Sequence, residues 1–407
     1  MPDSEQRFRL KVKSGHPNFL DLPWQQSIND WQIENFLDLP KAMSRHSVRF
    51  VDYPEGIYVI KELPLRAAMR DYETLSSLEN QEVLSAVPVG LVTGRYPDAG
   101  AEQSAALITE YIHYSLSYLE LLQGPGFGFR RNKMLDAFAG LLVQLHLINC
   151  FWGDCSLGNV LYRYDADGIE VIMIDAETSR IYPRISDGQR QEDLEIMKLN
   201  LAGGMADIAA SQSATLSEAD LEMGIDVESR YLQLWAEIMD AITISRHEHY
   251  RIHEKTQRLN KLGFNVESLC IVEKDETERL DLRFKVGSRN FHTARLKGLT
   301  GVDTLERQAR YILNDVRFYE LQQNAETASE KMLAAVHWRM HEFEPMLERL
   351  RKLENVKDPV QAYCDLLHAR YEISRKRNYS VPMEEAYHVW IANGRPGYPQ
   401  ETYVEDI

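Results

Sequence analysis

Apolar and polar residues alternate along two stretches near residue 50, which is the pattern of a β-hairpin. The stretches are SVRFVDY (47–53) and IYVIKEL (57–63), and the Pro-Glu-Gly sequence at 54–56 favours a tight turn between them. Two more apolar runs, VPVGLVTG (87–94) and SAALITEYI (104–112), have the length and composition of strands. The pattern therefore predicts an antiparallel sheet in the first third of the chain.

Three segments are predicted to be helices, and the second repeats apolar residues at the spacing of an α-helix with one buried face. In the second of them, Met134, Leu135, Phe138 and Leu142 fall on one side. The predicted helices are RAAMRDYETLSSLE (66–79), RRNKMLDAFAGLLVQLHLIN (130–149) and QEDLEIMKLNLAGGMADIAA (191–210). Residues 1–40 show no clear periodicity, and their aromatic residues are expected to anchor this arm on a later domain; these are Trp24, Trp31 and Phe36.

From about residue 218 the composition becomes helical, with one interruption. SLCIVEK, RLDLRFKVG and NFHTARLKGLTG (268–301) are interpreted as a small β-element, and helices are predicted over 303–323, 327–355 and 358–377. Positive charge concentrates on the β-element, which offers either a contact for an anionic partner or edge strands that lysines protect from aggregation. The second interpretation is favoured. The residues are Arg283, Lys285, Arg289, His292, Arg295 and Lys297.

The stretch from 146 to 179 carries the strongest candidate chemistry. Asp154 is followed five residues later by Asn159 in a short polar turn, and a second apolar run ends at Asp175. The pattern predicts loop, strand, turn and strand, with polar groups where the strands meet solvent. Phosphoryl transfer needs such a set of a base and metal-binding oxygens, because the protein mainly positions the reactants and neutralises phosphate charge. The structural alternative is that Asp154 caps a turn and Asn159 bonds backbone amides.

Lys61 stands inside the second strand of the predicted hairpin, at an otherwise apolar site. It either extends from an edge strand into solvent or points at an anion in a cleft. Glu73 follows twelve residues later in a predicted helix that has Leu75 and Leu78 on its buried side. Taken alone, the lysine favours the solvated interpretation.

Bulk properties limit the function classes. A chain of 407 residues is too long for one ordinary core, and its net charge of −16 argues against a general nucleic-acid or anionic-membrane surface. No apolar run is long enough to predict a membrane span, and the first residues contain no apolar signal core, so we expect a cytoplasmic protein. The four cysteines form no C-x-x-C pair and are interpreted as small thiols in a reducing compartment.

The order Lys61, Glu73, Asp154, Asn159 and Asp175 resembles the protein-kinase-like superfamily. The resemblance implies that Lys61, held by Glu73, grips the α- and β-phosphates of a nucleotide. Asp154 would orient the attacking hydroxyl or accept its proton, and Asn159 and Asp175 would coordinate metal. The implied cofactors are ATP and Mg²⁺ or Mn²⁺.

The resemblance also implies a hinge at the end of the apolar strand 104–112, where backbone groups would bond adenine. Its residues would be Glu110, Tyr111 and Ile112, with Ile108 lining the pocket. The alternative is a core strand with an acidic end.

The loop that covers the phosphates departs from the kinase pattern, because no G-x-G-x-x-G precedes the hairpin. The equivalent stretch contains Ser44, Arg45 and His46, whose side chains offer donors to phosphate in place of bare backbone. A plain polar turn is an equal alternative.

The catalytic loop reads WGD (152–154), where typical protein kinases have HRD, and is closer to the HGD of small-molecule phosphotransferases such as the aminoglycoside kinases. The metal motif reads DAE (175–177), in which Glu177 would support the metal, and no A-P-E follows. His146 matches a structural histidine of the kinase helix. The activation segment, which in protein kinases docks the protein substrate and switches the enzyme on, is therefore expected to be absent.

The whole chain resembles an uncharacterised bacterial family in which a kinase-like domain, distantly akin to lipopolysaccharide-core heptose kinases, precedes a domain of unknown function. SRHSVRFV, WGDCSLGNVLYR, LTG and QARYILND carry the resemblance. It implies an α+β fold: an arm over 1–40, a bilobal protein-kinase-like domain with an antiparallel-sheet N-lobe and a helical C-lobe over 41–215, and a mainly helical C-terminal domain with a small β-element over 216–407.

Three functional hypotheses follow from the sequence. The first is an ATP- and Mg²⁺-dependent phosphotransferase whose unknown acceptor is a small molecule or sugar rather than a folded protein. The second is a nucleotide-binding pseudokinase that acts as a regulatory module. The third is an AMP transferase that uses the same residues with ATP reversed.

Overall fold

The structure is a computed structural model that describes residues 8–39, 45–122, 130–212, 215–245, 248, 250–273 and 279–398. The chain forms two compact units. The first consists of Met1–Arg163 and Val171–Leu234, and the second of Tyr164–Glu170 and Trp235–Ile407. The fold is α+β, with an antiparallel sheet in the N-terminal part and mainly helices towards the C-terminus.

The elements up to residue 239 contain the sheet and the helices that form the candidate site. In chain order they are β1 (Arg9–Val12), β2 (Phe36–Leu37), β3 (Val48–Tyr53), β4 (Gly56–Leu63), α1 (Leu65–Asn80), β5 (Pro88–Thr93), β6 (Ala105–Glu110), β7 (Ser115–Leu116), α2 (Tyr118–Leu121), α3 (Arg131–Leu147), β8 (Cys150–Phe151), β9 (Val160–Asp165), β10 (Gly168–Met173), β11 (Arg180–Ile181), α4 (Asp187–Gln212), α5 (Glu218–Leu221) and α6 (Met223–Met239).

The main sheet has six strands in the order β1-β5-β6-β4-β3-β2. The predicted hairpin is confirmed as β3 and β4, with Tyr53 opposite Gly56 at the turn. The apolar runs at 87–94 and 104–112 are confirmed as β5 and β6, which place β4 in the middle of the sheet. Lys61 therefore lies on a central strand, which excludes the interpretation of a solvated edge residue.

The N-terminal arm adds an edge strand that its sequence pattern did not predict. β1 pairs with β5, with Leu10 opposite Val92. Trp24 is fully buried in the core on this face of the sheet, and its indole N–H donates to the Phe19 carbonyl at 2.7 Å. The prediction of an aromatic anchor is confirmed for Trp24, whereas Phe36 remains 36% exposed.

A buried arginine fastens the arm to the sheet. Arg95 donates through Nε to the Trp24 carbonyl at 2.8 Å and through Nη2 to the Gln26 carbonyl at 2.6 Å. The same Nη2 donates to Glu62 Oε1 at 2.7 Å, and that oxygen also accepts from the Ile28 amide at 3.0 Å. The planar guanidinium reaches the three acceptors from two nitrogens held in fixed directions, a geometry that the single ammonium nitrogen of lysine does not reproduce.

Arg95→Lys is therefore expected to keep the charge beside Glu62 but to lose the carbonyl contacts. Because those acceptors are buried, we expect the free energy of unfolding of the first unit to fall by about 2 kcal/mol. Denaturant unfolding checks this, with Arg66→Lys at an exposed position as the control. Equal stabilities of the two variants would contradict the anchoring role of Arg95.

The elements after residue 239 build the second unit. They are β12 (Ile242–Ser245), α7 (Tyr250–Lys261), β13 (Val266–Glu273), β14 (Arg279–Val286), α8 (Phe291–Thr300), α9 (Glu306–Gln322), α10 (Ala328–Trp338), a π-helical turn (Arg339–Phe343), α11 (Glu344–Arg351), α12 (Pro359–Arg377) and α13 (Met383–Ala392). The strands form a sheet in the order β12-β14-β13.

One prediction about this part was wrong, and one predicted helix contains an interruption that was not predicted. The stretch 290–301 is the helix α8 and not a strand, because Leu296 and Thr300 share a buried face at helical spacing and Gly301 ends the helix in a left-handed conformation. The helix predicted over 327–355 is interrupted by the π-helical turn. Pro345 follows that turn and cannot donate a hydrogen bond to the preceding turn of a regular helix.

Helix α13 falls in the tail for which no helix was predicted. Its buried residues Met383, Ala386, Tyr387 and Trp390 have the spacing of one helical face. Among the described residues, no helix has the length and apolar composition needed to cross a lipid bilayer.

Candidate active site

Lys61 lies at the centre of the candidate site. Its Nζ donates to Asp175 Oδ2 at 2.7 Å and to Asp71 Oδ2 at 3.2 Å. Burial alone would lower the pKa of this amine, but the two carboxylates outweigh it and raise the pKa above its ordinary value. The lysine is therefore a fixed positive charge between the sheet and the loop that follows β10.

The partner of Lys61 on helix α1 is Asp71, which corrects the prediction of Glu73. The buried face of α1 carries Asp71 together with Leu75 and Leu78, whereas Glu73 is exposed on another side. Asp71 also accepts a hydrogen bond from the Ala176 amide at 2.9 Å. One aspartate thus ties α1 both to the lysine and to the loop after β10.

The pKa of the buried Asp71 carboxyl gives a prediction for the pH dependence of stability. Burial raises this pKa to about 6; Lys61 opposes the rise and Asp175 adds to it. An unfolded aspartate titrates near about 4, so between these pH values the folded protein binds more protons than the unfolded chain. The contribution of Asp71 to the free energy of unfolding therefore falls as the pH rises from about 4 to about 6.

Asp71→Asn is expected to flatten this part of the stability curve, whereas Glu73→Gln should leave it as in wild type. Denaturant unfolding at pH values on either side of the window measures the difference. An unchanged pH dependence in Asp71→Asn would show that Asp71 does not titrate in this window.

The face of the sheet that carries Lys61 forms one wall of the candidate site. Side chains on a strand alternate between faces, and directly paired residues share a face. Leu107 pairs with Lys61 and Thr109 with Val59, so these residues share the lysine's face. Ile108 pairs with Ile60 in the core on the opposite face, which corrects the expectation that it lines the nucleotide pocket.

The predicted hinge lies at the end of β6, where two of its amides already have protein partners. The Glu110 amide donates to the Val87 carbonyl at 3.0 Å, and the Tyr111 amide donates to the Ile57 carbonyl at 2.9 Å. Adenine contacts from these two amides would have to displace a protein bond. Ile112 is half-buried immediately after them.

Two residues before β3, Arg45 and His46, are bonded to Glu177. Arg45 Nη2 contacts Glu177 Oε1, and His46 Nε2 lies 3.0 Å from Glu177 Oε2. Burial lowers the pKa of His46, although Glu102 lies 2.8 Å from its Nδ1. Both Glu177 oxygens are engaged in this way, and the expectation that its carboxylate supports the metal stays a prediction. Ser44 lies outside the described residues.

The carboxylate of Asp154 is held by two carboxamides. Asn159 Nδ2 donates to Asp154 Oδ2 at 3.0 Å and to the Asp154 carbonyl at 2.9 Å. Asn200 Nδ2 donates to Asp154 Oδ1 at 2.9 Å. All three side chains are half-buried, so the aspartate is fixed in orientation and still accessible. The sequence did not point to Asn200.

A second residue that the sequence did not point to, Asp193, fixes the backbone before Asp154. Its carboxylate accepts from the Trp152 amide at 2.7 Å and from the Gly153 amide at 2.8 Å. Asp193 and Asn200 are seven residues apart on α4 and therefore share one helix face. That spacing places the two residues on one side of α4, but nothing in the sequence indicated that this side faces Asp154.

His146 connects Asp193 to two further residues. Its Nε2 lies 3.1 Å from Asp193 Oδ2, and its Nδ1 lies 2.8 Å from the Tyr231 hydroxyl, which also accepts from Arg190 Nη1 at 3.2 Å. Burial lowers the pKa of His146, so the neutral ring donates on one side and accepts on the other. The chain of hydrogen bonds supports a structural role for this histidine.

Gly153 explains why the loop reads WGD. Its φ of +78° is left-handed, and an added Cβ would lie 3.1 Å from the Phe151 ring and 3.2 Å from the Thr178 carbonyl. An arginine at this position would be strained and crowded. The backbone conformation of this loop therefore accounts for glycine at position 153, where typical protein kinases have arginine.

The loops carrying Asn159 and Asp175 are joined directly, because the Ile174 amide donates to the Asn159 carbonyl at 3.0 Å. A carboxylate and an amide oxygen are hard donors that suit Mg²⁺, which commonly takes its other ligands from phosphates and water. The donor set therefore fits this metal. Within the described part of the chain, no group of three or more His, Cys, Asp or Glu side chains is arranged to hold a metal ion.

Of the six basic residues assigned to the predicted β-element, His292, Arg295 and Lys297 lie on α8, and three of the six have an acidic partner. Lys285 Nζ lies 2.7 Å from Glu267, Lys297 Nζ lies 2.7 Å from Asp303, and His292 Nδ1 lies 2.6 Å from Glu306. Arg283 and Arg295 are exposed. The local pairing reduces the charge available to an anionic partner.

Comparison with known protein families matches two successive parts of the chain, and the part that carries the kinase-like motifs comes first. Residues 56–223 match the lipopolysaccharide kinase (Kdo/WaaP) family, and residues 233–394 match a domain of unknown function, DUF4032. The predicted combination of a kinase-like part with a C-terminal part of unknown function is confirmed. No curated protein matches the chain. A solved structure of WaaP in complex with acyl carrier protein aligns at 15% identity and a TM-score of 0.37, covering 62% of this chain and 98% of its own.

Proposed function

We propose that this kinase-like chain transfers the γ-phosphoryl group of ATP to a hydroxyl of a small molecule or sugar, in the presence of Mg²⁺. The observation that carries the proposal is the contact of 2.7 Å between Lys61 and Asp175, which brings the strand lysine to the loop after β10. The match of residues 56–223 to a lipopolysaccharide kinase family supports a sugar-like acceptor.

Each residue of the site has a role in this reaction. Lys61, held by Asp71, would neutralise charge on the α- and β-phosphates, and Asn159 and Asp175 would hold the metal. A metal held there would supply positive charge that offsets the charge developing on the phosphates. Arg45 and His46 would give up their contacts with the Glu177 carboxylate and bind phosphate oxygens instead.

Asp154 would act on the acceptor. Its carboxylate would orient the attacking hydroxyl and receive its proton as the acceptor oxygen bonds to phosphorus and the bond to the β-phosphate oxygen breaks, leaving ADP. The two carboxamides on Asp154 leave it unable to rotate away from that position. Little movement is then needed at the moment of reaction.

A nucleotide-binding pseudokinase is the second candidate, and the contacts of Arg45 and His46 with Glu177 favour it. They hold the phosphate-covering loop against the metal loop, an arrangement that would slow productive closure over ATP. This candidate predicts nucleotide binding without turnover.

Labelled ATP separates these functions. The purified chain is incubated with Mg²⁺ or Mn²⁺ and ATP labelled at the γ- or the α-phosphate, with sugar and small-molecule acceptors, beside Asp175→Asn. Transfer of γ-label that is lost in the variant supports the phosphotransferase. Binding without transfer supports the pseudokinase, and transfer of α-label supports the AMP transferase.

A further inference from the structure

A single hairpin joins the two candidate metal ligands. β9 begins directly after Asn159, and β10 ends two residues before Asp175. At the open end of the hairpin, the Ile174 amide donates to the Asn159 carbonyl at 3.0 Å. The relative position of the two ligands therefore depends on how well this hairpin is formed.

The hairpin has little support from its own sheet. The third strand, β7, pairs with β9 only at Arg163 and Tyr162. Two-stranded hairpins are marginally stable in water, and a third strand of two residues adds little. At its open end the hairpin is also bonded to the segment 84–86, because the Ala86 amide donates to the Met173 carbonyl at 2.7 Å and the Met173 amide donates to the Leu84 carbonyl at 3.2 Å. The opposite end, at the turn, lacks such support within the sheet.

The turn of the hairpin, Tyr164–Glu170, belongs to the second compact unit, so the chain passes between units within the hairpin. Within that unit, the buried Asp165 accepts from the Arg307 amide at 2.9 Å and the Gln308 amide at 2.7 Å. These amides lie in the first turn of α9 and would otherwise lack a partner in the helix. Asp165 thus acts as a cap for α9 supplied by a distant part of the sequence.

The Gln361 side chain on α12 forms two hydrogen bonds with the backbone of Ala166, as a neighbouring β-strand would. Its Oε1 accepts from the Ala166 amide at 2.8 Å, and its Nε2 donates to the Ala166 carbonyl at 3.0 Å. Ala166 has a φ of +50°, which costs free energy for a residue with a Cβ and persists only when its surroundings enforce it. Its side chain is buried in the core of the second unit.

Two ion pairs complete the attachment. Asp167 lies 3.3 Å from Arg307 Nη1 and 3.5 Å from Arg310 Nη2. The Arg307 side chain also lies against Gly168, where an added Cβ would approach its Nε to 2.6 Å. Four consecutive turn residues are therefore held by α9 and α12.

We propose that the part of the chain that matches DUF4032 is a positioning element for the metal-binding pair, through the turn of this hairpin. Residues of α9 and α12 fix the turn, the turn fixes the strand register, and the register fixes Asn159 beside Ile174 and Asp175. A ligand or protein that rearranges α9 or α12 would then change metal affinity at a site it does not touch. The metal-binding part of the inference rests on the proposed function.

Gln361→Leu in the full chain tests the inference, because it removes both hydrogen bonds to Ala166 without altering the candidate site. We expect faster hydrogen exchange at the Ile174 amide in the absence of nucleotide. We also expect the Mg²⁺ concentration for half-maximal nucleotide binding to rise by about tenfold, as for other residues that support metal ligands. Excess Mg²⁺ should restore binding, which loss of folding would not permit.

Gln322→Leu, at an exposed position on α9, is the matched control and should behave as wild type. Asp167→Asn is a milder second variant that should shift both readouts in the same direction by less. Unchanged exchange at Ile174 in Gln361→Leu and Asp167→Asn, with the turn itself exchanging faster, would overturn the positioning role. Failure of the wild-type chain to bind nucleotide would instead refute the proposed function and leave the exchange result intact.

Discussion

Asp154→Asn is expected to lower kcat for phosphoryl transfer by about 10²- to 10⁴-fold, the usual contribution of a positioned general base. Asparagine keeps the size of the side chain but cannot accept the proton of the acceptor hydroxyl. Because Asp154 is assigned to the acceptor and not to the phosphates, nucleotide affinity should stay near that of wild type. Transfer of γ-label under saturating ATP, together with titration of bound nucleotide, measures the two quantities separately.

Asp226→Asn is the control for this experiment, because it makes the same chemical change at an exposed position. A wild-type kcat in Asp154→Asn would contradict the assignment of Asp154. An equal loss of nucleotide affinity and kcat would place Asp154 among the nucleotide contacts instead.

Lys61→Met is expected to abolish detectable binding of Mg-nucleotide and to destabilise the first unit. The lysine lies 2.7 Å from Asp175 and 3.2 Å from Asp71, and Asp71 is fully buried. Removing one member of a buried pair leaves an uncompensated charge and costs about 3–5 kcal/mol. Denaturant unfolding at pH 8 and nucleotide titration by calorimetry measure the two effects.

The double variant Lys61→Met/Asp71→Asn separates stability from binding. Asparagine removes the uncompensated charge and can still accept the hydrogen bond from the Ala176 amide, so the double variant should recover most of the lost stability. It should remain unable to bind nucleotide. Recovery of binding together with stability would mean that Lys61 supports the fold alone and does not contact phosphate.

Local patterns in the sequence predicted the parts of the site that depend on neighbouring residues. The alternation around residue 50 predicted β3 and β4, which carry Lys61, and the spacing of Asp154, Asn159 and Asp175 predicted two loops joined by a hairpin. The strand and loop motifs are short and continuous, so their geometry follows from the chain itself.

The prediction that Glu73 pairs with Lys61 followed the kinase resemblance, whereas helix geometry places Asp71 on the buried side of α1. Leu75 and Leu78 define the buried side of α1, and Asp71, four residues before Leu75, lies on that side. Glu73 is two positions further along and points elsewhere, since each residue rotates by about 100°. The periodicity already favoured Asp71.

Other parts of the site could not be predicted because they join distant segments. Asn200 contacts Asp154 across 46 positions, and Arg307 contacts Asp165 across 142. Such pairs depend on the packing of whole helices, and a single sequence contains no pattern that links their members. The same reason applies to the edge strand β1, which pairs with a strand about eighty residues later.

Covalent labelling with an acyl-phosphate derivative of ATP tests the central claim most directly. Such a probe transfers its acyl group to a lysine amine that lies beside the bound phosphates, and mass spectrometry identifies the modified residue. The proposed site predicts labelling of Lys61, although this residue is only 8% exposed, and loss of that label in the presence of excess ATP and Mg²⁺. Labelling confined to exposed lysines, or label at Lys61 that ATP does not compete away, would contradict a nucleotide site at Lys61.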